Sequence, residues 1–443
     1  MINKKMVLTT GLSVSVATMV LPTVVSCNEV KLSFWNYESY MGKSNIDGIS
    51  DKVGYSQFGN LDEFEAAIDD QKVLAGISSD FQIPRLINEN KIQKLDFKRL
   101  FNLTYTNSND LKTKLSTIYS EVELRSLEVL SSANGNIPIW EYVLPYFFQE
   151  KVIAFDVNKG SWTPQQKLDL SSPSTISKIF GDTTYKGILN TLSQNGYQKL
   201  VINDYYRDNL AIGSEYNDPT KFTTEPINSN YNDQINGFKK TIEASDGFGQ
   251  KISSSNIKFE TSGTEVLESI IDPSLNWECA ILYNGDSLDA YWSEDNFKSS
   301  TSDIRVVYPQ NKLFMTDMVV IPSYITDKKY LDRAYDVIIN NVIGNPDLVK
   351  TNEFSDLTTA QPISQNFDYV NYTVPYKKLN DIIMSDYFLD NKNVEDEMAK
   401  YIYDISSLTP AEIAALTKNN YLSTISKSLI TEIMVKYRGM KSS

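Results

Sequence analysis

The 443-residue chain contains no histidine, so histidine-based chemistry is out. Ser-His-Asp and Cys-His pairs, imidazole metal ligands and the usual zinc signatures are excluded. Asp204 and Asp208 lie four residues apart in Asn203-Asp204-Tyr205-Tyr206-Arg207-Asp208, so a helix opening there puts both on one face. That spacing suits a clamp for a cation or the acid pair of a glycosidase. By default the same two residues are an N-cap and a solvated first-turn acid. Asp317 stands among Phe314, Met315 and Met318, where an unpaired carboxylate is costly and a partner is expected. Tyr37 and Tyr40 follow one apolar run and Tyr283 ends another. A ring beside a cation is worth about 0.5–2 kcal/mol, although aromatics after strands more often only pack. Cys279, inside an apolar run, reads as a small buried hydrophobe.

The elements that position these residues can be read along the chain. Lys4 and Lys5 precede an apolar stretch from Met6 to Val25, which reads as an export signal. Val24-Val25-Ser26-Cys27 resembles a bacterial lipobox, which implies removal of residues 1–26 and lipidation of Cys27. Two acyl chains give stable anchoring where one binds only marginally, so the expected location is the outer face of a bacterial cell membrane. Two cysteines permit at most one disulfide, so stability must come from burial. The 41% apolar and 12% aromatic content is ample for two or three domains. With 42 basic against 56 acidic residues, net charge −14, the chain is not expected to bind nucleic acid and is compatible with cationic ligands.

Residues 31–36 alternate into a strand leading to a loop at 37–41. Asn60-Leu61-Asp62-Glu63 caps a helix, and Phe81 to Pro84 reads as a short strand. Strand, helix, strand argues for α/β units with parallel strands. Glu278 to Tyr283 reads as a strand closed by a turn at Asn284-Gly285-Asp286, with further strands at Ile304 to Tyr308 and Met318 to Ile321. An amphipathic helix is expected over Lys329 to Ile343, stopping at Gly344. Thr409-Pro410-Ala411-Glu412 opens a short helix, and Leu422 to Ile433 keeps helical spacing into a helical C-terminus. Residues 213–236, rich in Asn, Asp, Thr, Ser and Pro, read as an exposed insertion.

Four blocks in order carry a wider likeness. They are Leu32-Ser33-Phe34-Trp35-Asn36-Tyr37-Glu38-Ser39-Tyr40; Ser79 to Pro84 leading to Ile92-Gln93-Lys94-Leu95-Asp96; Ile137-Pro138-Ile139-Trp140 with Tyr185-Lys186-Gly187 and Ala280 to Gly285; and Phe314-Met315-Thr316-Asp317 with Ile321-Pro322 and Asn345-Pro346-Asp347. Together they resemble the extracytoplasmic spermidine/putrescine-binding proteins of ABC importers. The resemblance implies a two-lobed, periplasmic-binding-protein-like α/β fold joined by hinge crossings, with one lobe at 28–145 and 318–365 and the other at 150–312 and 366–443. It implies a polyamine or other small cationic ligand held between the lobes and handed to separate permease subunits. No catalysis, cofactor or metal is expected. Hinge closure of this kind is a known repertoire member.

Carried over residue by residue, the resemblance makes Tyr37, Tyr40 and Tyr283 stacking walls, with Glu38 and Ser39 in place of a Thr-Glu pair. Asp208 stands in the place of a paired Glu, Tyr205 in that of its Asp, and Asp204 is one residue off. Asp317 falls on the acid that clamps an amine, and Gln361 on a binding tyrosine. The family's Ser-Thr-Tyr-Tyr after the proline is missing, since Pro84 runs directly into Arg85-Leu86. Alternatives are another cargo on the same fold, such as thiamine, a metal complex or a phosphorylated compound, and a carboxylate-based glycosidase or a surface adhesin. A phosphate ligand needs helix N-termini and basic groups, whereas the candidates here are acidic.

Overall fold

A computed structural model describes residues 32–226, 230–243, 251–292, 303–351, 353–389 and 395–443. The export signal, Cys27 and part of the expected insertion lie outside the described residues. Among the described residues, nine strands form one mixed sheet: β1 (Ser33–Tyr37), β2 (Gly54–Phe58), β3 (Val73–Ser79), β4 (Leu144–Asp156), β5 (Leu200–Asn203), β6 (Ile257–Glu260), β7 (Cys279–Tyr283), β8 (Ile304–Val307) and β9 (Phe314–Val320). Their order is β2-β1-β3-β9-β4-β7-β5-β6, with β8 also on β4. β1 runs parallel to β2 and β3, and β5 runs parallel to β6 and β7. The two parallel triplets are joined through β4 and β9, which pair antiparallel to their neighbours.

β4 holds the two halves together. Its residues 144–150 pair with β9, and its residues 151–156 pair with β7 and β8. Every residue of the strand is buried. Its sequence is two apolar runs around Gln149-Glu150-Lys151, so three polar side chains are buried where the pairing partners change. Each needs a partner there, because a buried polar group without one costs about 1–3 kcal/mol.

Local signals set most element ends. Asn60 caps the helix Leu61–Asp69, its side chain accepting from the amides of Asp62 and Glu63. Thr409 and Glu412 close a reciprocal capping box on the helix Pro410–Ala415. The expected amphipathic helix begins at Lys328, widens into a π turn over Ile339–Ile343, and stops at Gly344 with φ +87°, a backbone that favours glycine.

Other expectations give way to packing. Phe81 to Pro84 is no strand: the strand is β3, buried throughout, and Pro84 sits in the first turn of the helix Ile83–Asn88, where its missing amide costs nothing. Asn284-Gly285-Asp286 is no turn but the start of the helix Asn284–Tyr291. Buried Asn284 accepts from the amide of Glu150 at 3.0 Å, so its side chain serves tertiary structure instead of a turn. The C-terminal helix starts at Lys427 and runs to Lys441, later than the apolar spacing predicts.

The described parts of the expected insertion, 213–226 and 230–236, are not simply exposed. Phe222, Thr224, Tyr231, Gln234 and Ile235 are buried, and the helix Tyr231–Glu243 packs on the helix Tyr206–Ser214. The two backbones approach through Gly213 and Gly237: a Cβ on Gly213 would stand 1.9 Å from the Gln234 carbonyl oxygen, and one on Gly237 would stand 2.0 Å from that of Gly213. A Gly213→Ala variant is therefore expected to lose about 1–3 kcal/mol in urea unfolding. An unchanged midpoint would show that the helices move apart freely.

Candidate functional site

The carboxyl ends of the parallel strands are where an open α/β sheet places a ligand. Here they converge on the middle of β4. Tyr37 ends β1 and Ser79 ends β3 in one half, while Asn203 ends β5 and Tyr283 ends β7 in the other. Cross-strand partners share a face of the sheet. Ser79 lies opposite Asp317, Gln149 opposite Met315, and Lys151 opposite Tyr283. Period-two alternation puts Gln149 and Lys151 on the same face, so one continuous surface carries side chains from both halves.

In the first half, Asp317 is the centre. It is 1% exposed. Its Oδ1 accepts from Ser79 Oγ at 2.5 Å, and its Oδ2 accepts from Tyr40 OH and from Gln149 Nε2, each at 2.7 Å. The Tyr37 hydroxyl meets Ser79 Oγ at 2.8 Å. Tyr40 is fixed from behind, its carbonyl accepting from Asn36 Nδ2 at 3.2 Å and from Tyr146 OH at 3.0 Å. Its ring packs against Tyr37, Tyr146, Phe147 and Tyr372 at centroid distances of 5.6, 5.7, 6.0 and 5.6 Å. Burial pushes the Asp317 carboxyl up to about 6, although the three hydrogen bonds pull the other way. Three of a carboxylate's roughly four acceptor sites are filled, which leaves room for one further donor.

The second half has the same chemistry with a difference. Asp208, 0% exposed, accepts from Tyr283 OH at 2.8 Å and pairs with the ammonium of Lys151 at 2.5 Å. That ammonium lies 3.7 Å from the centre of the Tyr283 ring and donates to Asn203 Oδ1 at 3.2 Å. Ring and carboxylate are thus arranged around a cation, and the cation is the protein's own. The halves touch here: Tyr283 OH lies 3.9 Å from Met315 Sδ, and the Arg207 guanidinium lies 4.0 Å over the ring of Phe81.

The sequence-derived candidates divide accordingly. Tyr37, Tyr40 and Asp317 come together, as do Asp208 and Tyr283. Tyr205 stands between the halves, its ring 6.0 Å from Phe81. Asp204 does not share a partner with Asp208: it accepts from Tyr437 OH at 2.9 Å and is bound by Lys441 of the C-terminal helix. Glu38 and Ser39 are exposed at the turn after β1, where Ser39 has φ +54°. Gln361 is exposed, with its carbonyl against Gly344. Gln149, Lys151 and Arg207 escaped the sequence reading. The polar trio inside the apolar run of β4 was the signal for the first two.

Residues 416–427 cross both halves. Leu416 O accepts from Arg125 Nη2 at 3.1 Å, and the Thr424 hydroxyl donates to Phe81 O at 2.8 Å. Lys427 pairs with Glu65 at 3.0 Å on one side, while Thr224 Oγ1 donates to Lys418 O at 3.1 Å on the other. A cavity of about 170 Å³ beneath this strap is lined by Pro84, Leu130, Glu225 and Tyr421 among others. It shares no residue with the two clusters and is not the site.

A family model described as "Hypothetical lipoprotein (MG045 family)" matches residues 1–433. The chain belongs to that family. No curated protein matches it. Among solved structures it is similar to a Listeria monocytogenes protein provisionally named as a spermidine/putrescine ABC transporter, at 15% identity and TM-score 0.56, over 93% of this chain and 99% of that one. It is also similar to the spermidine/putrescine substrate-binding protein PotD of Streptococcus pneumoniae, at 14% identity and TM-score 0.52, over 93% and 99%. The Tp0655 (TpPotD) lipoprotein of Treponema pallidum matches at 11% and 0.51, over 92% and 98%. These likenesses establish a periplasmic-binding-protein-like α/β fold with a mixed sheet and flanking helices. No helix of the described residues is long and apolar enough to cross a membrane.

Proposed function

We propose that this lipoprotein is the extracytoplasmic solute-binding component of an ABC-type importer, anchored through Cys27, and that it encloses a small amine-bearing solute between two lobes for delivery to permease subunits. The observation that carries this reading is Asp317: a buried carboxylate in a cluster of tyrosines, at the point where the carboxyl ends of both parallel triplets meet. An ammonium leaves water only where acceptors replace its hydration, and this cluster offers an acceptor and ring faces together. The fold shared with proteins named for spermidine and putrescine transport supports the same role.

The lobes would be 28–145 with 318–365 and 150–312 with 366–443, β4 and the start of β9 acting as the hinge. Putrescine and spermidine are the cargo implied by the resemblance. Lys151 already fills the second station of ring and carboxylate, which favours a solute with a single ammonium over a long polyamine. A glycosidase acid pair is disfavoured, because Asp204 and Asp208 are held by different partners.

Two measurements test the reading. Titration calorimetry of the chain lacking its signal against amines, amino acids, thiamine and sugars should give saturable heat with an amine-bearing solute. Heat only with sugars, or with nothing, would remove the proposal. Cys27→Ser should abolish incorporation of labelled palmitate into the protein in cells, and undiminished labelling would rule out the anchor.

A further inference from the structure

Arg207 is the residue that an amine clamp alone does not explain. Its side chain is 5% exposed, and both Nε and Nη2 are buried without a hydrogen-bond partner. The guanidinium crosses the seam to lie over Phe81, and no carboxylate is ion-paired with it among the described residues. It sits in the first turn of the helix Tyr206–Ser214, whose N-cap, Tyr205, makes no side-chain cap hydrogen bond. The local field there therefore favours an anion. Unpartnered acceptors occur beside it. Asp208 uses Oδ2 for Lys151 and Tyr283 and leaves Oδ1 without a hydrogen bond, and Asp80, which burial pushes up to about 8 against the weaker pull of the Arg207 charge, also leaves its Oδ1 without one.

A buried guanidinium with two orphaned nitrogens is costly until an acceptor arrives. A diamine or polyamine only donates. It would engage the free carboxylate oxygens, leave Arg207 unpaired, and add ammonium charge beside two buried cations, Lys151 and Arg207. A solute that both donates and accepts relieves every orphan at once. Resting on the proposed solute-binding role, we infer that the cargo is a small amino-acid-like zwitterion, its ammonium received on the acidic side of the seam and its carboxylate received by the fork of Arg207. Arginine suits this task because its planar donors match both oxygens of a carboxylate.

Matched pairs that differ only by the carboxylate provide the test. Calorimetry of the signal-free protein carrying Cys27→Ser would compare ornithine with putrescine, lysine with cadaverine, and γ-aminobutyrate with propylamine. In at least one pair the amino acid is expected to bind about 10- to 100-fold more tightly, the effect of one charge-assisted contact. Arg207→Gln should erase that preference, and Arg207→Lys, which keeps the charge but loses the fork, should fall between. Because two of its nitrogens lack partners, Arg207→Gln should leave the ligand-free Tm unchanged or raised. A variant that fails to fold would show the guanidinium to be structural and overturn the inference. Tighter binding of putrescine or spermidine than of any amino acid, or a preference that survives Arg207→Gln, would overturn it while leaving the solute-binding role intact. Silence from all these compounds, from thiamine and from sugars would overturn both.

Discussion

Replacing Lys151 with alanine is expected to destabilise the protein by about 3–5 kcal/mol, the cost of leaving one partner of a buried ion pair behind. Asp208 would keep only the hydroxyl of Tyr283 for a carboxylate that is 0% exposed. The same substitution would empty a space already shaped for an ammonium, bounded by the Tyr283 ring, Asp208 and Asn203 Oδ1. Added ethylammonium should therefore raise the Tm of Lys151→Ala while leaving the parent protein unaffected, since only the variant has room for it. Putrescine should also gain affinity for the variant by tenfold or more, because its second ammonium would find the station that Lys151 occupies. A variant as stable as its parent, with no response to ethylammonium, would mean that the pair is incidental. Long polyamines would then fit as well as a solute with a single ammonium.

How far the sequence reveals this arrangement depends on the range of the interactions involved. β1, the Asn60 cap, the Thr409 box and the stop at Gly344 were legible, because each is set by neighbours within four residues. Tyr37, Tyr40 and Asp317 were legible as site candidates through the resemblance, and Asp317 also through its apolar surroundings. What was hidden is long range. Gln149 meets Asp317 across 168 residues and Lys312 meets Glu150 across 162, so local periodicity could not show that the polar trio of β4 would be buried and matched. Asp204 and Asp208 have helical spacing in the sequence, but Lys441, 237 residues away, claims one and Lys151 the other. The polar composition of residues 213–236 suggested exposure, whereas two facing glycines let a helix pair close over part of it.

Burial at the seam also gives the protein a pH response with a definite sign. The chain has no histidine, so no imidazole titrates between pH 5 and 8, and raised carboxyls dominate that window. Burial pushes Asp317 up to about 6, and it pushes Asp80 and Glu123 up to about 8. For each group the folded value exceeds the unfolded one. The folded protein therefore holds more protons between the two, and stability falls as pH rises until the folded value is passed. Asp317 contributes a decline between about pH 4 and 6, of the order of 3 kcal/mol at ~1.4 kcal/mol per pH unit, while Asp80 and Glu123 extend the decline to about pH 8. Urea unfolding of the solute-free protein should accordingly show greater stability at pH 5 than at pH 8. Asp317→Asn should shrink the part of the slope below pH 6, which Asp286 and Asp289, also pushed up to about 6 by burial, share with it, and Asp80→Asn combined with Glu123→Gln should shrink the part above it. Capture of a cationic group should run the opposite way, since a protonated Asp317 no longer attracts an ammonium. Below about pH 6 the affinity is expected to drop by up to tenfold per pH unit, and Asp317→Asn should bind weakly at every pH. If stability instead rose from pH 5 to 8, these carboxyls would be ionised and fully paired in the empty protein. The seam would then have no unsatisfied acid to offer a solute.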